Sequence, residues 1–349
     1  MSAVRQGAII GFGNVAAHGH LPHWRARTDF AIVAVADPDP QRRALAEQLM
    51  PGVRTYADTE ALLHDEPLDF VDIATPPAFH AEAMRAAAQA GVHVLCEKPL
   101  CTSLHEYDAV RAAARRSGVV LHTVHNWKYS DAFLAARQVL AARKLGALNA
   151  ISFDTARNGY AASNGDWRVS PAIAGGGILV DHGWHAFYLL LALAEQRPYR
   201  IRATLERRRY VDAAVEDTAV CAVVFPSLVA EVRLTWAATE RYTRWRLVGA
   251  AGQLTIDDDE LILQGNGGEE RRRLATALSA GSHHPEWFGG VVDSFRRELD
   301  DPAARGTNQA EAELCLLMLR LAYASAAEDS RPLDIPDGDA WFEGTAEHA

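Results

Sequence analysis

Two short stretches of this chain hold side chains equipped to move a proton. The first is Glu97-Lys98-Pro99, which ends the run Gly91-Val-His-Val-Leu-Cys96. Pro99 cannot donate to a sheet and restricts Lys98 to extended or turn geometry, so a lysine is presented at the edge of a strand. The second is Asp181-His-Gly-Trp-His185, which follows Gly175-Gly-Gly177. On a helix Asp181 and His185 share a face, and a carboxylate one turn from an imidazole fixes its tautomer and raises its basicity. His182 and His185 also form a histidine pair at metal-ligand spacing. A metal site needs a third ligand, and none stands at such a spacing, so acid–base work is the favoured reading and no metal is expected. Taken singly, each stretch also has a structural explanation: a surface ion pair of Glu97 with Lys98, and a helix histidine satisfied in a core.

The elements around the first stretch favour chemistry. Gly7–Ile10 reads as a strand running into Gly11-Phe-Gly-Asn-Val-Ala16, a G-x-G-x-x-A turn between strand and helix. Gly11 permits the tight turn, Gly13 lets a backbone approach a diphosphate, and Ala16 lets the helix pack closely on the sheet. A diphosphate would meet the helix N-terminus, where free N–H groups favour an anion. The apolar strand 31–36 ends at Asp37, about twenty residues past the glycines, where a carboxylate can accept both ribose hydroxyls and repel a 2′-phosphate. NAD is therefore expected over NADP, although Arg42 and Arg43 stand nearby. Strands at 69–74, 91–96 and 119–124 alternate with helices at 57–64, 78–90 and 103–117, the last opening on a Ser103/Glu106 capping box. That alternation predicts a doubly wound parallel sheet, at whose carboxyl edge Lys98 would lie.

Past a helix at 131–142 the pattern changes. A strand at 150–157 and a run of alternating strands joined by turns from Tyr199 to about Arg273 predict a large open and mainly antiparallel sheet, followed by helices at 285–299 and 309–327. The fold class is thus α/β, with an N-terminal Rossmann domain at 1–127 and an α+β domain at 128–349 for substrate binding and oligomerisation. If helices cover one sheet face, the other would show Val220, Ala222, Val224, Val232 and Leu234, a patch that predicts a homodimer or homotetramer.

Composition narrows the class. The net charge of −10 argues against a nucleic-acid or anionic-membrane partner. No apolar run of membrane-spanning length is expected, and no signal-peptide pattern opens the chain. Four cysteines without a CxxC pair suggest a reducing, cytoplasmic setting.

Together, Gly11-Phe-Gly-Asn-Val-Ala16, Ala36-Asp37, Asp72-Ile-Ala-Thr-Pro-Pro77 with His80, Glu97-Lys98-Pro99 and Asp181-x-Gly-x-His185 resemble the Gfo/Idh/MocA family of nicotinamide oxidoreductases. The resemblance implies that Lys98, Asp181 and His185 face the nicotinamide as catalytic residues. It further implies that Phe12, Asn14, Thr75, Pro76, His80 and Glu97 border the cofactor, and that Asn126 and Asp166-Trp167-Arg168 line its junction with substrate. Lys128, which stands where the family often carries arginine and offers a point charge in place of a planar fork, is with Arg168 among the expected substrate contacts. The implied reaction is hydride transfer between nicotinamide C4 and a carbinol or ketone carbon of a sugar, polyol or cyclitol, with Lys98 and His185 handling the proton. Two alternatives use the same fold: an enzyme that recycles NAD within a non-redox reaction, such as glycoside cleavage or epimerisation, and a metabolite or cofactor sensor.

Overall fold

A computed structural model describes residues 4–160, 167–281 and 283–337, and these divide into two compact units. The first comprises the chain to Asn126 together with His283–Glu313. Its sheet is built from β1 (Arg5–Ile10), β2 (Phe30–Ala36), β3 (Arg54–Tyr56), β4 (Phe70–Ile73), β5 (His93–Cys96) and β6 (Leu121–Thr123), in the order β3-β2-β1-β4-β5-β6. Every pairing is parallel. Strand order reverses between β1 and β4, which creates the crevice where dinucleotides bind in such sheets. The strands are apolar on both faces because helices cover both: Ala8, Ile9, Val35, Val71, Ile73, Val94 and Leu95 are all buried. β3 was not expected, since Arg-Thr-Tyr is too short and polar to show strand periodicity. The Ser103/Glu106 capping box is present and starts the helix Leu104–Ser117.

The helix Pro285–Asp300, which the sequence grouped with the domain at 128–349, belongs to this first unit. Its Phe288 packs on His20 and Trp24, and its Phe295 on Phe70. Aromatic contacts between residues so distant in sequence leave no trace in local periodicity.

The second unit comprises Trp127–Ser282 and the chain from Leu314. Its nine-stranded sheet contains β7 (Leu148–Asn158), β8 (Arg200–Glu206), β9 (Thr218–Val224), β10 (Val229–Thr235), β11 (Ala237–Gly249), β12 (Gly252–Asp257), β13 (Glu260–Gly265), β14 (Gly268–Arg273) and β15 (Leu333–Asp334). All pairs are antiparallel except β7 with β10. The expected sheet is therefore present, with β15 added at one edge. The helical stretch Pro171–Ala194 has the length and apolar composition of a membrane span, which the sequence reading had not anticipated. Most of it is buried inside the unit, as a core helix is.

Register corrects the expected open face. Val232 lies opposite Cys221 and Leu234 opposite Ala219, and all four are buried. Val220 and Ala222 occupy the other face, opposite Arg233 and Glu231. The expectation placed alternate residues of two strands on one face without their pairing register. A one-residue offset between strands exchanges the faces.

Candidate functional site

In the first unit the glycine turn and Asp37 are joined directly. Gly11 has φ +85°, and a Cβ there would fall 2.7 Å from the Thr75 side chain. Only glycine fits. At Gly13 a Cβ would meet nothing within 4 Å, so the turn faces open space where a phosphate could approach. Asp37 accepts the backbone N–H groups of Phe12 (2.7 Å) and Asp39 (2.9 Å), which holds its carboxylate beside the turn. The helix N-cap is Asp39, which accepts Gln41 N–H, so the alternative of Asp37 as that cap does not hold. Arg43 donates to the carbonyls of Asp37 and Pro38, and Arg42 lies 3.4 Å from Asn14 Oδ1. Ala16 is fully buried under the helix that begins with the wide turn Val15–His20 and continues as Leu21–Ala26.

These residues fit a dinucleotide. The buried atoms Thr75 Oγ1 and Asn126 Oδ1 lack a hydrogen-bond partner. Each orphaned group costs about 1–3 kcal/mol unless a ligand satisfies it, and both were expected at the cofactor.

His80 is fully buried, with Nδ1 2.8 Å from the Pro99 carbonyl and Nε2 2.8 Å from the Thr75 carbonyl. It ties the Thr75-Pro76 loop to the turn after Lys98, so both ring nitrogens are engaged by backbone. Glu97 is turned inward. Its Oε1 lies 3.0 Å from His20 Nε2, and its Oε2 accepts the Lys98 N–H at 3.0 Å. Glu97 is thus held inward by His20, which the alternative reading of the tripeptide as a surface strand end does not foresee. Burial opposes ionisation of Glu97, but the hydrogen bond and charge of His20 outweigh it and hold the carboxyl below its ordinary value. His20 and Asp72 were not singled out as site residues. Their only signal was a histidine and a carboxylate at otherwise apolar positions.

In the second unit His185 lies on the helix Trp184–Ala194, beyond the wide turn Leu179–Gly183. Its Nδ1 is 2.8 Å from Tyr188 Oη, and its ring stacks on Trp127 with centroids 5.2 Å apart. Tyr188 Oη also accepts the Trp127 N–H at 3.1 Å. Tyr188 thus engages Nδ1, and Asp181 lies 3.8 Å from His182 Nδ1. A small cavity between sheet and helix is lined by Trp127, Thr155, His182, His185 and Trp245. Trp184 points into the core and is fully buried, so it packs and does not line this cavity.

The glycine turn before this helix has an unexpected anchor. Glu216 accepts the N–H groups of Gly177 and Leu179 at 3.0 Å and the Tyr323 hydroxyl at 2.8 Å. A Cβ on Gly177 would fall 2.0 Å from the Glu216 carbonyl oxygen. Burial pushes the Glu216 carboxyl above its ordinary value despite these donors. Lys128 lies in the single turn Asn126–Tyr129, and Arg168 stacks over Trp167 with its guanidinium 4.5 Å from the ring centre. Asp166 falls outside the described residues. His284 stacks on Trp287 at 3.6 Å and reaches Glu286 at 3.0 Å.

Lys98 therefore belongs to the first unit with the dinucleotide turn, and Asp181, His185, Lys128 and Arg168 to the second. Comparison with known proteins follows the same division. Residues 5–125 match the model of the oxidoreductase family with an NAD-binding Rossmann fold, and residues 133–255 match the GFO/IDH/MocA C-terminal domain. A putative UDP-kanosamine synthase oxidoreductase subunit from Amycolatopsis mediterranei is 34% identical over 91% of this chain and 95% of its own length. D-apiose dehydrogenase from Paraburkholderia graminis is 38% identical, over 40% of this chain and only 37% of that protein. An inositol dehydrogenase homologue from Azotobacter vinelandii, solved with NAD+, superposes with a TM-score of 0.81 at 22% identity, over 96% of this chain and 98% of its own. With its dinucleotide turn, its two matched domains and a relative aligned along nearly its whole length, this chain belongs to the Gfo/Idh/MocA family of NAD-binding oxidoreductases.

Proposed function

We propose that this chain oxidises a carbinol carbon of a sugar or sugar derivative, or reduces the matching ketone, with Lys98 and His185 handling the proton. Bound NAD supplies the hydride acceptor or donor. His185 Nε2 takes the hydroxyl proton, and Nδ1–H donates to Tyr188 Oη to hold that tautomer. Lys98 Nζ hydrogen-bonds the reacting oxygen and stabilises charge developing on it. Asp181 anchors a neighbouring hydroxyl. The carrying observation is the fixed imidazole: a buried ring held at Nδ1 by a phenol and stacked on Trp127 keeps one orientation on its helix. One relative named above is a D-apiose dehydrogenase and another a putative UDP-kanosamine synthase oxidoreductase subunit, which supports that substrate class. NAD is proposed over NADP because the Asp37 carboxylate, held beside the glycine turn, would accept the ribose hydroxyls and repel a 2′-phosphate. Four buried cysteines without a disulfide support a cytoplasmic setting.

The test is NAD reduction with a panel of free pentoses and hexoses, myo-inositol and UDP-sugars, followed by Lys98→Ala and His185→Ala on whichever compound turns over. Each variant should lower kcat by about two to four orders of magnitude, with NAD affinity little changed. The double variant should lose much less than the product of the two, since both groups serve one proton. Lys98→Ala with normal turnover and intact thermal stability would reduce Lys98 to the end of a strand.

A further inference from the structure

His20 is 2% exposed, yet it is surrounded by charge. Asp72, on β4, places its oxygens 3.0 and 3.1 Å from Nδ1, and Glu97, just past β5, lies 3.0 Å from Nε2. Trp24 Nε1 donates to Asp72 Oδ2 at 2.7 Å. Phe288 stacks on the imidazole with centroids 3.9 Å apart and planes 10° from parallel. His283 stands beside Gly19, and Lys98 is the next charge beyond Glu97. Ionised carboxylates only accept hydrogen bonds, so a ring between two of them satisfies both by carrying a proton on each nitrogen. The imidazolium also offsets one of two buried negative charges; a neutral ring would leave them to repel. Burial disfavours a charged His20, but the charges and hydrogen bonds of Asp72 and Glu97 outweigh it and push its pKa up to about 10.

Glu97 is the link outward. One oxygen meets His20, and the other accepts the backbone N–H of Lys98. A glutamate free to rotate would release that N–H and the turn leading to Pro99. We propose that His20 is a positioning residue for Lys98: doubly hydrogen-bonded between Asp72 and Glu97, it locks the Glu97 carboxylate against the Lys98 backbone and so sets the direction in which the lysine side chain leaves the strand. The catalytic consequence rests on the role given to Lys98 above; the positioning itself does not.

The chain contains only three lysines, Lys98, Lys128 and Lys144, so spectra of protein labelled with 13C-lysine resolve Lys98 directly, assigned by Lys98→Arg. In the full chain with NAD+ added, His20→Gln, which keeps only one donor for two carboxylates, should shift the Lys98 signal and leave those of Lys128 and Lys144 in place. With 15N-histidine, both His20 ring nitrogens should remain protonated at about pH 8 in the unmutated protein, well above the ordinary histidine range. On a sugar that is turned over, His20→Gln should lower kcat about 10- to 100-fold, as misplacement of a catalytic group does, with NAD+ affinity kept within about threefold. Added to Lys98→Ala, it should cost nothing further. A neutral His20 ring at that pH, an unmoved Lys98 signal, or, where Lys98→Ala has lost turnover, unchanged kcat in folded His20→Gln would each overturn the proposal. The ring signals of His20 are assigned with His20→Phe, so a neutral ring overturns the proposal even if His20→Gln does not fold. Full turnover in Lys98→Ala would instead remove the chemical role of the lysine, while the response of its signal to His20→Gln still tests the positioning.

Discussion

Tyr188 Oη lies 2.8 Å from His185 Nδ1, and the same oxygen accepts the backbone N–H of Trp127. One phenol thereby joins the proposed base to the segment that enters the second unit. Tyr188→Phe removes this anchor while keeping the ring volume. It should lower kcat about tenfold or more, change the pH profile of kcat, and leave NAD affinity untouched. Steady-state kinetics across pH check this. An unshifted profile with full kcat would mean that the tautomer is set elsewhere.

The contact from Asp37 to the Phe12 N–H predicts more than cofactor choice. The unmutated protein should bind NAD more tightly than NADP, by fluorescence titration of both. Asp37→Ala should narrow the gap chiefly by weakening NAD, because it removes the ribose acceptor and loosens the glycine turn together. Equal or tighter binding of NADP by the unmutated chain would sink this.

His20 predicts a pH dependence of stability. Its pKa is near 6.5 in the unfolded chain and is pushed up to about 10 in the fold. The contribution is therefore whole below the unfolded value and is lost as pH rises through the folded one. His20→Phe keeps an aromatic ring against Phe288 but cannot be charged. Its Tm deficit relative to the unmutated protein should be largest near pH 6 and shrink toward pH 10. A deficit that does not vary with pH would contradict a charged ring.

Glu216 satisfies two backbone N–H groups and the Tyr323 hydroxyl at the glycine turn. Glu216→Ala leaves these buried donors without an acceptor, at about 1–3 kcal/mol each before relaxation. Denaturant unfolding should show a loss of about 2–4 kcal/mol, a range typical of a broken buried network. A loss below about 0.5 kcal/mol, the range of surface substitutions, would mean that water replaces the carboxylate freely.

Assembly is predicted through the open sheet face in its corrected form. Val220 and Ala222 alternate there with charged neighbours, including an exposed Arg233–Glu231 pair at 2.8 Å. We expect a homodimer or homotetramer whose association weakens with salt, since exposed charges are screened. Light scattering at micromolar concentration checks it, and a monomer at low salt would refute it.

What could be read without a structure was the local grammar. Gly11-x-Gly13, the apolar run ending at Asp37, and Asp181-x-Gly-x-His185 are patterns within a single strand–turn–helix unit, where chain geometry alone sets spacing. Alternation of strands and helices also carried the parallel character of the first sheet, because right-handed crossovers leave few arrangements. Tertiary structure decided whatever depends on partners distant in sequence. Glu97 reads as a surface residue until His20, from a different helix, is found against it. Asp181 is the natural partner of His185 by helical spacing, yet Tyr188 occupies Nδ1. Val232 and Leu234 look exchangeable with Val220 and Ala222 until pairing register separates the faces. Phe288 joins the dinucleotide unit although more than 150 residues of the other unit intervene in the chain. Such pairings are settled by which surfaces exclude water together, and no window along the chain contains both partners.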